Sequence, residues 1–172
     1  MEKFASAVAW GNVYKLECYD KNGVLKWVEE ARNAVVNEGL NHVLNTEFKS
    51  GSQINTWYAG LIDNAGFTAI SSGDSAGEIG GTNAWSELTE YDEASRVVVA
   101  FGSVSAQILS NSANKATFTA NASKTVKGAF VVSSNTKIDT TGTLFGAAAF
   151  GSTRDVVDDD QLLLTVTLVA TS

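Results

Sequence analysis

Val13-Tyr14-Lys15-Leu16-Glu17-Cys18-Tyr19, then Asp20-Lys21-Asn22-Gly23, then Val24-Leu25-Lys26-Trp27-Val28-Glu29: this stretch decides how the rest of the chain reads. Tyr14, Leu16 and Cys18 alternate with Lys15 and Glu17, a period of two that gathers the apolar side chains on one side of a strand. The next four residues are turn-formers, and Asn-Gly takes a positive φ at little cost. Leu25 and Trp27 then share one side of a return strand, with Lys26 opposite. The spacing predicts a β-hairpin.

Downstream the period changes once. Asn37 is placed to cap a helix, and Glu38 suits the positive end of its dipole. Leu40, Val43, Leu44 and Phe48 recur at helical spacing and predict one buried stripe, which Ser50-Gly51 ends. Strand character returns at 56–62 and closes at Asp63-Asn64-Ala65-Gly66. Residues 63–84 form a long polar stretch, and a loop of that length is expected to be mobile or to serve as a contact surface. Further strands are expected at 85–91, 96–101, 103–109, 116–120, 126–133 and 143–150. In the last strand Leu162, Leu164, Val166 and Leu168 face one way, Thr165 and Thr167 the other. Asp158-Asp159-Asp160 is the turn before it. About nine strands with one helix predict an all-β, mainly antiparallel fold: a sandwich or jelly roll, with a barrel as the other way to close it. Residues 1–12 read as an N-terminal arm and 13–172 as a single β-rich domain.

Composition narrows the function classes. The 172 residues are 44% hydrophobic, enough for a core without a metal or disulfide. Twelve basic and nineteen acidic residues give a net charge of −7, so nucleic acid is not an expected partner. No stretch has the length of a membrane span, and the first ten residues lack the apolar run of a signal peptide. Cys18 is the sole cysteine, so no intrachain disulfide forms, and it reads as a small buried hydrophobe.

Candidate chemistry is sparse. His42 is the only histidine, lies within the expected helix, and reads as structural. No G-x-S-x-G elbow, P-loop or H-E-x-x-H occurs. Asp155 and Asp158–Asp160 offer carboxylate oxygens of the kind calcium takes, but without the alternation of an EF-hand, so a solvated turn is the leading reading and calcium the lesser one. Glu87, Glu90, Asp92 and Glu93 surround Tyr91 and Trp85, which outlines a sugar platform; ordinary strand alternation with solvated acids accounts for them better. Gly80-Gly81 lacks the lysine and helix start of a phosphate cradle. No catalytic, cofactor or metal residue is assigned. Of the four tryptophans, Trp27 and Trp57 sit mid-strand and are expected in the core. Trp10, in the arm, and Trp85, after the long loop, are freer, and either suits the centre of an interface. With Phe4 and Val8 from the arm and Phe67 from the loop, they make up the expected contact set.

Several ordered segments together resemble a known group. They are residues 57–68 (Trp-Tyr-Ala-Gly-Leu-Ile-Asp-Asn-Ala-Gly-Phe-Thr), 85–91 (Trp-Ser-Glu-Leu-Thr-Glu-Tyr), 126–131 (Val-Lys-Gly-Ala-Phe-Val) and 140–145 (Thr-Thr-Gly-Thr-Leu-Phe), with the opening hairpin. In this order they look like small virion structural proteins of tailed bacteriophages, over about residues 13–170. The resemblance implies a non-enzymatic decoration (cement) subunit made in the host cytoplasm and bound on the outer surface of the head. Its implied partners are the major capsid protein and further copies of itself, as trimers or dimers. Relatives of this kind also occur on tails, so the alternative is a receptor- or glycan-binding module of a tail fibre or tailspike. A small glycosidase or lyase is a third class, one that no motif demands.

Overall fold

The computed structural model describes residues 9–80 and 84–171. In chain order the elements are β1 (Ala9–Tyr19), β2 (Leu25–Ala34), α1 (Asn37–Phe48), β3 (Tyr58–Asp63), a 3-10 turn (Ala76–Ile79), β4 (Glu87–Leu88), β5 (Val97–Val98), β6 (Ile108–Ser110), β7 (Ala116–Thr119), β8 (Lys124–Val132), β9 (Leu144–Val156) and β10 (Gln161–Thr171). They build two five-stranded antiparallel sheets packed face to face, an all-β sandwich with one short α-helix.

The first sheet runs β2-β1-β10, with β6 and β7 both paired to the far side of β10. The opening hairpin is its nucleus, as the alternation predicts. Its turn is tied by the Asp20 carboxylate, which accepts from the amides of Asn22 (2.8 Å) and Val24 (2.9 Å), while Gly23 takes the positive φ of +78°. Ala9 through Tyr19 then pair residue for residue with Thr171 through Gln161. Ala9–Asn12, read from the sequence as part of the arm, lie in the β1 ladder.

The second sheet runs β3-β8-β9, with β4 and β5 sharing the other side of β3. Between the sheets lies the main core, with Tyr14, Leu16 and Cys18 of β1 and Leu162, Leu164 and Val166 of β10 against Leu61, Ala129, Val131, Phe145 and Phe150. The two sides of the sandwich are closed as well. On one, Trp27 Nε1 donates to the Asp155 carbonyl (3.2 Å), Asn33 Nδ2 to the Ala147 carbonyl, and Arg154 pairs with Glu29 (2.6 Å). On the other, Asp92 N–H donates to the Thr119 carbonyl (2.8 Å), and Glu93 accepts from the Thr119 amide (3.1 Å).

Three expectations change. The helix spans the expected residues, but its N-cap is Val36, and Asn37 is already helical. Glu38 leaves the dipole to accept from the amides of Ala76 (3.1 Å) and Leu144 (2.6 Å). Its stripe is only half used: Leu40 and Val43 pack on the core, whereas Leu44 is 56% and Phe48 79% exposed. Contact falls in the first turns because Gly39 lies against the Phe145 backbone; a Cβ there would sit 2.5 Å from the Phe145 carbonyl oxygen. The strand expected at 103–109 shrinks to Ile108–Ser110, since Ala106 and Gln107 take positive φ and form a tight turn.

The third change concerns the loop after β3. It is a second core. Ile62, Phe130, Val132, Leu144 and Ala147 point away from the first sheet, and Ala76, Ile79 and Trp85 cover them, with Phe67, Ile70 and Ala84 packed alongside. Gly60 lets Phe130 lie across β3, because a Cβ there would fall 2.2 Å from the Phe130 ring.

Candidate functional site

The residues singled out for chemistry are dispersed and committed to structural work. His42 meets Trp57 edge-on (ring centroids 5.7 Å apart) and touches Thr46 (3.5 Å). Asp160 is buried, accepts from the Val157 amide (2.9 Å) and pairs with Lys26. Asp158 and Asp159 point to solvent in the same tight turn. Among the described residues no cluster of three or more His, Cys, Asp or Glu is placed to hold a metal. Cys18 is buried, and burial, with the Asp160 charge nearby, pushes its thiol up to about 12, so it stays protonated.

The acids around Tyr91 separate in role. Glu87, expected on a solvated face, is buried instead. It receives the Arg96 guanidinium in a two-pronged pair (3.0 and 2.9 Å) and the Ile138 amide (2.6 Å). Arg96 also donates to the carbonyls of Ser134 (3.0 Å) and Asp139 (3.1 Å). Lys137 closes the group by donating to the carbonyls of Thr89 (3.1 Å) and Tyr91 (2.8 Å). Each guanidinium nitrogen of Arg96 faces a partner, and the cluster braces residues 134–139 against β4. Its location and satisfied bonds make it a strut rather than a site.

The expected contact residues also divide. Phe4 and Val8 lie outside the described residues. Trp85 is buried in the second core, tilted against Phe130 (ring centroids 5.4 Å apart), and its indole N–H donates to the buried Asp74 carboxylate (2.9 Å). Phe67 is half-buried beside it, with the Lys127 ammonium 5.4 Å from its ring centre. A loop that seals a core has spent its large side chains inward.

Trp10 has a different setting. It is 39% exposed on the inward side of β1, opposite Ala170, where the first sheet extends past the second. On one side of it lies a hollow of about 270 Å³ lined by Val104, Ile108, Leu109, Leu168 and Ala170. Around its other side a shallower one of about 380 Å³ opens over Gly11, between Val13, Arg32 and Val169. Leu168 also borders the end of the main core at Trp57, Phe101 and Phe145, so the apolar floor runs from interior to surface. Val104 (70% exposed) forms the rim. Sequence reading found Trp10 and missed the rest, because they come from three distant segments that only the β10 pairings assemble.

No protein-family model matches this chain, and no curated protein is significantly similar to it.

Proposed function

We propose that this chain is a non-enzymatic structural subunit of a tailed-bacteriophage particle, which coats the outer surface of the assembled head and holds its shell together. The observation that carries the reading is the Trp10 end: a half-exposed indole beside an apolar hollow rimmed by Val104 and Ile108. A partner's apolar side chain seated there is shielded from water by the Val104 and Ile108 rim, the arrangement that concentrates binding energy. The resemblance of the ordered segments to small virion proteins is what points to the major capsid protein as the partner. A subunit that binds the assembled shell, and not its separated parts, shifts the balance toward assembly by mass action. Many symmetric copies multiply a modest contact.

The test is co-sedimentation with heads stripped of this protein. Trp10→Ser and Val104→Asp are expected to weaken binding about tenfold or more, a loss of about 1.4 kcal/mol or more, with little change in the unfolding midpoint. Binding untouched by both substitutions, or labelled protein found on tail tips and not on heads, overturns the proposal.

A further inference from the structure

We infer that two copies of this chain associate through the outer face of the first sheet, paired face to face about a twofold axis. The inference needs nothing from the virion reading. It starts from a difference between outer faces: Phe67, Ile70, Ala76, Ile79 and Trp85 of the loop after β3 cover that of the second sheet, and no described segment crosses that of the first.

The register places the residues of this bare face in rows across β2, β1, β10 and the short strands. Val28, Glu17, Leu163 and Thr117 form one row. Glu30, Lys15 and Thr165 form the next, and Arg32, Val13, Thr167 and Ser110 the one after. The ladder fixes the backbone, and side-chain contacts confirm the rows. Ser110 and Thr167 hydroxyls meet at 3.0 Å, and Lys115 reaches across β10 to the Glu17 carboxylate that Lys15 also holds (2.7 Å). Glu17 is only 7% exposed, so even the charge at the centre is covered by its neighbours.

Charge favours a second copy as the occupant. The face holds Lys15, Arg32 and Lys115 against Glu17 and Glu30, which leaves nine basic and seventeen acidic residues for the rest of the chain. Copies that approach by other surfaces bring acid against acid, whereas this face, its charges paired within each copy, meets its own image close to neutrality. Its size also suits the role. β1 and β10 are eleven residues long, so four strands abreast span roughly 37 by 19 Å, about 700 Å². A stable pairing buries about 800 Å² on each partner. Along both sides of the sandwich, contacts between the two sheets tie the edge strands to each other.

Sedimentation velocity on the purified full chain, over a concentration series, tests this. The wild type is expected to run as a dimer at about 10 µM, and Val28→Lys and Thr165→Lys as monomers with unchanged circular dichroism. Asn121→Lys adds the same charge at an exposed position elsewhere and should remain dimeric. A wild type that stays monomeric at about 100 µM, a trimer, or face variants that dimerise as well as the wild type overturns the inference. Head binding is not read in this experiment, so its outcome is separate from that of the Trp10 test.

Discussion

The two sheets of this sandwich turn different outer faces to the world. The second carries Ile62, Phe130, Val132 and Leu144 outward, and the chain folds its own loop over them. The first carries Thr165, Thr167, Thr117, Lys15 and Glu17 outward with Val13 and Leu163 among them, and stays bare. Burying a large aliphatic or aromatic side chain is worth about 1.5–3 kcal/mol, so the outward side chains of the second sheet favour a cover in a way that threonines do not. The difference teaches where to look for partners. A face the chain has already sealed has little left to offer, whereas the bare face and the apolar Trp10 end stay open to a partner.

The largest expected effect breaks the sealed face. Trp85→Ala removes a buried ring that Phe130 packs against and leaves Asp74 without the indole N–H it accepts from. A loss of about 3–5 kcal/mol is expected in chemical denaturation, the range for a buried tryptophan cut to alanine. A loss under about 1 kcal/mol would mean the loop rests on the sheet without sealing it, and the contrast between the faces would fail.

How much of this was readable beforehand depends on the range over which each feature is encoded. The hairpin and β10 were legible because their alternation is continuous and local: Tyr14, Leu16 and Cys18 against Leu162, Leu164 and Val166. The helix was legible in position but not in orientation, since Gly39 against Phe145 and Glu38 on the Leu144 amide are contacts made 106 residues apart. The cover was illegible. Phe67, Ile70, Ala76, Ile79 and Trp85 follow no period, because they dock on a surface rather than pair in a ladder. The candidate site was half legible: Trp10 drew notice as an unplaced aromatic, but Val104, Ile108 and Leu168 become neighbours only when β6 joins β10.

A smaller effect probes the bare face by acid. Lys115, and then Lys15, hold the Glu17 carboxyl below its ordinary value of 4.5. A depressed carboxylate stabilises the fold above its unfolded pKa, and that stabilisation is lost as pH falls through the folded value. Glu17→Gln should therefore cost about 1 kcal/mol at neutral pH. The gap from wild type should close as pH falls below about 4.5, measured by denaturation at each pH. A gap that persists at low pH means packing, and not the lysine clasp, sets the difference.

The smallest effect is the sharpest test of bareness. Thr165 lies mid-strand in β10, flanked by Lys15 in the register, with its side chain directed away from the main core. If nothing in the monomer covers this face, Thr165→Lys can extend its ammonium into water and should shift stability by no more than about 0.5 kcal/mol. The comparison must be made at a concentration where both proteins are monomeric, since association through this face would add its own stabilisation to the wild type alone. A loss above about 2 kcal/mol under those conditions would show that some part of the chain lies over the face. The two faces would then differ in what covers them rather than in whether they are covered, and the bare sheet would no longer be the place where a second copy docks.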